Sequence, residues 1–218
     1  MFGGLFLTLV LFISGCSDSP VNSSAADNFE VSTYSSTTAD NTTGGNVLVL
    51  TTVKVLIKDI KLNVSGSGES NFKTGPYVLY LDLNSSVNTM TAGIIPEGTY
   101  DKIKFEIHKP NNNDPIPDPE FRDELGNYSV IARGTFNGTA FTYKSKKSAY
   151  QMLNMNNELV MTNIGKTNIT LTVNPYNWFL SGGVYMNPDI VSNENDIDNN
   201  IKTSFKAIVD KDKNGIPD

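Results

Sequence analysis

The sequence predicts a mainly β protein: an antiparallel β-sandwich of about seven or eight strands with a short C-terminal helix. Three observations lead there. Apolar and polar residues alternate with period two, most cleanly over 101–108, where Ile103, Phe105 and Ile107 face one way and Lys102, Lys104, Glu106 and His108 the other. Asn137-Gly138, the dipeptide most favoured for a type I′ turn, separates two such runs at 128–134 and 139–145. Turn residues punctuate the remaining short runs, as they do in all-β sandwiches.

Taken in order, folded structure is expected from Val47. The stretch 47–64 is rich in β-branched residues, but Val53, Val55 and Ile57 lie one step out of phase with Ile60, Leu62 and Val64. A slip at Lys58 and Asp59 is the trace a β-bulge or a bend leaves in a sequence. Further strands are expected at 75–83, 158–162 and 167–173, and the four prolines of 109–120 require a long exposed loop. Trp178 and Phe179, at the end of a strand, read as core closure more readily than as a sugar-stacking pair. Past Gly182-Gly183 the period lengthens to nearly four, and Ile197, Ile201, Phe205 and Ile208 form the stripe of a short helix capped by Asn195 or Asp196.

Composition sets limits on function. Of 218 residues, 39% are apolar and 18% charged, which suits a chain able to bury a core. The net charge of -6 argues against a nucleic-acid partner, because phosphate contacts need clustered cations and the one dense patch, Lys144, Lys146 and Lys147, is small. His108 is the only histidine, so a Ser-His-Asp arrangement has one candidate base, and its neighbours Lys102, Lys104 and Glu106 place it on a solvated strand face. Nothing in the chain marks a carboxylate pair for glycoside hydrolysis.

The N-terminal run Met1-Phe-Gly-Gly-Leu-Phe-Leu-Thr-Leu-Val-Leu-Phe-Ile-Ser-Gly-Cys16 has signal-peptide length, too short to cross a bilayer as a helix, and ends in small residues before the only cysteine. Ile13-Ser14-Gly15-Cys16 resembles a bacterial lipobox. The resemblance implies cleavage before Cys16, lipid on its thiol and an acylated new amino terminus. The run departs from such signals in one respect: no basic residue precedes Lys54. With Cys16 taken by lipid, disulfides and thiolate metal sites are excluded. Residues 16–46 hold twelve Ser or Thr between 17 and 46 and read as a flexible tether, unless Phe29, Val31 and Tyr34 dock as an edge strand. The expected division is therefore residues 1–15 signal, 16–46 tether, 47–180 sandwich and 181–218 helix with a cation loop.

The turn Pro96-Glu97-Gly98-Thr99-Tyr100 resembles the Pro-x-Gly-x-Tyr turn of prealbumin-like β-sandwich modules in bacterial surface proteins. Lipobox, tether and sandwich together resemble envelope lipoproteins of the Bacteroidota type, which implies no activity. Ser17 after Cys16 favours the outer membrane by the rule known for enterobacterial lipoproteins.

One constellation carries chemistry. Asp210, Asp212 and Asn214 stand at positions 1, 3 and 5 of an EF-hand pattern, Gly215 at 6, the Ile216 carbonyl at 7 and Asp218 at 9. Alternate oxygen ligands followed by a glycine turn suit calcium. The position-12 carboxylate is missing, so the loop is similar to the short calcium loops of dockerin and thrombospondin type 3 repeats as well. The function expected is a lipid-anchored, non-enzymatic binding or adhesion module whose ligand is a glycan or a protein. A glycan-processing hydrolase or accessory protein, and a spacer for a further domain, are the alternatives.

Overall fold

The computed structural model describes residues 26–37, 42–66, 68–73, 75–162 and 164–218. The lipobox and Cys16 lie outside them. Strands in chain order are β1 (Phe29–Ser35), β2 (Thr42–Thr43), β3 (Asn46–Val64), β4 (Glu69–Lys73), β5 (Tyr77–Tyr80), β6 (Val87–Gly93), β7 (Gly98–Ile107) and β8 (Arg122–Asp123). They continue with β9 (Gly126–Asn127), β10 (Val130–Phe136), β11 (Thr139–Ser145), β12 (Ala149–Met161), β13 (Thr167–Val173), β14 (Leu180–Ser181), β15 (Val184–Tyr185) and β16 (Lys206–Val209). Among the described residues one α-helix, α1 (Glu194–Thr203), precedes β16.

Period-two patterning gives the sheet its inner face. Ile103, Phe105 and Ile107 of β7 are buried, as are Val53, Val55 and Ile57 of β3, and the phase slip is real: Asp59 takes φ +57° and the β3–β7 register shifts between Lys58 and Lys61. The bulge lets Ile60 and Leu62 rejoin the core face. Asn137 at φ +50° and Gly138 at φ +81° close the β10–β11 hairpin with Phe136 opposite Thr139, as the dipeptide demands.

The architecture departs from a seven- or eight-strand antiparallel arrangement. Twelve strands join one mixed sheet in the order β11-β10-β3-β7-β12-β16-β13-β1-β6, with β2, β4 and β5 added along the 19-residue β3. The β1–β13 and β12–β16 pairs are parallel. The sheet curls so that Phe141 of β11 and Phe29 of β1 belong to the same core, closed at one end by the 3₁₀ helix Pro175–Phe179. Trp178 and Phe179 are wholly buried there, and Trp178 Nε1 donates to Ser204 Oγ at 2.8 Å.

Two segments differ from expectation for physical reasons. Part of the stretch read as tether is β1, held between β13 and β6, with Phe29 and Val31 fully buried; its apolar residues are few, but all seven of its residues pair with β13 and six of them, Phe29 to Tyr34, with β6 as well. At the other end, α1 stops at Thr203, so Phe205 and Ile208 are not on a helix. They are buried as the stripe required, but from the segment leading into and along β16. A spacing of four then three satisfies a helix face and a turn into a strand alike, and pairing with β13 decides it. The helix has Asn193, not Asn195 or Asp196, at its cap position, without a side-chain cap bond.

Candidate functional site

The C-terminal residues enter the loop from a strand. Asp210 follows β16 with its side chain fully buried, and the chain folds back over it: Asn214 N donates to Oδ1 at 3.0 Å, Gly215 N to Oδ2 at 3.0 Å and Thr170 Oγ1 to Oδ2 at 2.7 Å. Gly215, at φ +81°, lies against the Tyr34 ring, where an added Cβ would sit 3.1 Å from Cδ2. Asp212 Oδ1 accepts from Asn214 N, Asn214 Oδ1 from Ile216 N at 2.7 Å and Asp218 Oδ2 from Lys211 N at 2.6 Å.

A carboxylate offers about four lone-pair sites, so oxygen capacity for a cation remains on Asp210, Asp212 and Asp218. Placement is less complete. Among the described residues no three acidic or imidazole side chains converge on one point at metal-binding range. Asp212, Asn214 and Asp218 are exposed and would have to swing toward buried Asp210.

Beneath the loop runs a buried polar chain. Ser32 Oγ donates to Asn168 Oδ1 at 2.7 Å, and Asn168 Nδ2 donates to Thr170 Oγ1 and to the Asp210 carbonyl, both at 2.9 Å. Glu30 pairs with Lys166 at 2.6 Å and with Lys213; hydrogen bonds from these ammonium groups, Lys166 first, hold its carboxyl below the usual range against the opposing effect of burial.

A second feature lies on the outer face of the sheet. Tyr150 of β12 stands opposite Glu106 of β7, which stands opposite Lys58 of β3; Met152, Lys104 and Lys61 form the next row. With Asp59 and Glu69 they line a groove of about 430 Å³. Glu69 accepts from Lys104 at 2.5 Å and lies 3.6 Å from Lys61, and the Lys104 hydrogen bond leads in holding its carboxyl below the ordinary value. Among the described residues the side chains of Lys58 and Asp59 make no hydrogen bond, although the Lys58 charge acts on Asp114 and the Asp59 charge on Tyr77. The strand carrying Tyr150 and Met152 inverts the usual order, since Gln151 points inward and donates to the Lys202 carbonyl at 2.9 Å while Tyr150 is 81% and Met152 63% exposed. That inversion, Ala149-Tyr-Gln-Met-Leu-Asn, was the available sequence signal for the site; alternation alone cannot say which face is wet.

The other candidates resolve as follows. His108 is buried, not solvated, because the loop that follows covers it: it stays on the Glu106 face, with Nδ1 3.1 Å from Glu106 Oε1, and Asp114 Oδ2 lies 3.6 Å from Nε2. The proline-rich loop is pinned: Arg122 Nη2 donates to the Asn111 and Asp114 carbonyls, and Asp118, buried, accepts from Lys54 at 2.7 Å. Lys144 pairs with Asp123 at 2.7 Å and lies over the Tyr128 ring. Ile216 and Asp218 stay with Asp210 in the C-terminal loop, whereas Trp178 is removed from any surface role.

No protein-family model matches this chain, and neither does any curated protein or solved structure.

Proposed function

We propose that this chain is a lipid-anchored protein of the bacterial cell envelope, attached through Cys16, whose β-domain is a non-enzymatic binding module built as a two-layer sandwich. The observation that carries the binding reading is the groove of about 430 Å³ beside Tyr150, set on strands and therefore preorganised. The anchoring reading rests on Ile13-Ser14-Gly15-Cys16. Two lipid chains or more hold a protein stably at a bilayer, where one does so only marginally.

Each half has its own test. Metabolic labelling with a palmitate analogue should mark the wild type and place it in the outer-membrane fraction, and Cys16→Ser should abolish both; unlabelled wild type rejects the anchor. For binding, purified full-length protein is presented in parallel to arrayed glycans and to immobilised fibronectin and collagen. Binding to at least one is expected, and binding to none defeats the module. Product release from a polysaccharide, lost in Glu106→Gln, would make the domain a hydrolase instead.

We further propose that the Asp210–Asp218 loop takes a structural calcium ion, using Asp210, Asp212, Asn214, the Ile216 carbonyl and Asp218. The spacing of these groups and the closure of the Asn214 and Gly215 amides on Asp210 support it. Extracellular calcium modules bind at roughly 10⁻⁴ to 10⁻³ M. Melting temperature should rise with millimolar calcium and not with magnesium, and Asp212→Ala should remove the response. A flat titration removes calcium from the account.

A further inference from the structure

We infer that the groove on the outer face of β3, β7 and β12 is a saccharide site with Tyr150 as its stacking platform, an assignment that rests on the binding-module reading and gives it a place and a ligand class. Among the described residues two aromatic rings keep most of their surface in solvent, Tyr80 at 59% and Tyr150 at 81%. Tyr80 has work inside the fold: its hydroxyl donates to Asp118 at 3.3 Å and its ring faces the Lys54 ammonium at 5.2 Å. The Tyr150 side chain makes no hydrogen bond and no ring contact among the described residues. With Met152 two residues on, it makes an apolar wall along one side of the groove.

The rest of the groove selects the chemistry of the occupant. Lys58, Lys61 and Lys104 are matched by Asp59, Glu69 and Glu106, so the site carries no net charge and attracts neither a phosphate nor a free cation. It does present donors and acceptors side by side, and a sugar hydroxyl uses both. A pyranose also has an apolar C–H face to lay on the Tyr150 ring, whose quadrupole and area favour such contact. The volume falls within the usual range for small-ligand sites. A dry protein interface is the poorer fit. It would strip water from the Lys104–Glu69 and Lys61–Glu69 pairs, at a desolvation cost that a hydrated ligand avoids.

Rigidity supports the same assignment. The bulge at Asp59, with φ +57°, turns Lys58 and Asp59 within β3, and Glu106 is held by His108, so the polar groups are positioned before a ligand arrives.

The test uses ¹⁵N-labelled, detergent-solubilised full-length protein titrated with cellohexaose, xylohexaose, mannohexaose, maltohexaose and chitohexaose. At least one probe should shift the amides of residues 58–61, 104–106 and 150–152. Tyr150→Ala should weaken it by at least roughly tenfold. Tyr150→Phe, which keeps the ring, should retain binding, and Tyr80→Ala should leave it unchanged. Each variant's unshifted amide spectrum checks its fold. Silence from all five probes at millimolar concentration, or binding indifferent to Tyr150→Ala, overturns the assignment. Binding that maps elsewhere, or binding of fibronectin or collagen alone, overturns the groove and leaves the module standing.

Discussion

Asn168 and Asp210 are joined in both directions: the Asp210 amide donates to the Asn168 carbonyl at 3.2 Å, and Asn168 Nδ2 donates to the Asp210 carbonyl at 2.9 Å. Both side chains are buried, and Ser32 and Thr170 complete the set, so β1, β13 and the C-terminal loop share one polar network.

Removing a member leaves its partners unsatisfied, at about 1–3 kcal/mol for each such loss. Asn168→Ala should therefore lower unfolding free energy in urea by more than the double replacement Ser32→Ala with Asn168→Leu, which removes donor and acceptor together. Asp210→Ala should in addition speed hydrogen exchange at the Asn214 and Gly215 amides, which it holds. Unchanged exchange there would show that the loop is kept in place by other contacts.

Lys54 lies between Asp118 at 2.7 Å and Glu120 at 3.0 Å. Burial acts to raise the Asp118 pKa, but the Lys54 hydrogen bond and the Glu120 amide outweigh it and the carboxyl ends below its ordinary value. A carboxylate depressed in the folded state contributes stability that is complete above its unfolded pKa, about 3.9, and drains away as pH falls through the folded value. Thermal melts should therefore lose stability below about pH 4, and Asp118→Asn should flatten that slope. Lys54→Met strands a buried carboxylate and should cost about 3–5 kcal/mol at neutral pH, much of it recovered in the Lys54→Met, Asp118→Leu pair.

Gly134 sits where β10 changes register against β3, and a Cβ there would lie 1.8 Å from the Val49 carbonyl oxygen. Gly134→Ala should reach or exceed the top of the usual overpacking range of about 1–3 kcal/mol. Gly68→Ala, which meets nothing within 4 Å, is the matched control and should be near neutral by denaturant midpoint.

Much of this architecture was readable from the chain where one face is wet and the other buried. The Lys58–Asp59 slip, the Asn137-Gly138 hairpin and the bounds of β13 are set by local pattern, and local pattern reported them. What the pattern could not report was pairing across long sequence separation. β1 is a strand because β13 and β6 flank it, and β16 because β13 receives it. β6, with Val87-Asn-Thr-Met-Thr-Ala-Gly93, has little amphipathic signal at all. The same limit governs the sites. Asp210, Asp212 and Asn214 are neighbours in sequence and were seen together, whereas Tyr150, Glu106 and Lys58 come from three strands and meet only through register. His108 belongs with these: it keeps to the face that alternation assigns, but Asp114 of the following loop covers it, a contact that local pattern does not show.

The position of β1 has a mechanical consequence. It is flanked along all seven residues by β13 and along most of them by β6. A pull on residue 26 along the strand axis loads both ladders in shear, so their bonds share the force and must slide together, whereas an edge hairpin would peel one bond at a time. The segment that leads from the chain's N-terminal side into the domain is thus among its best-secured parts, and tension from that direction would be met by the sheet before it reached the groove.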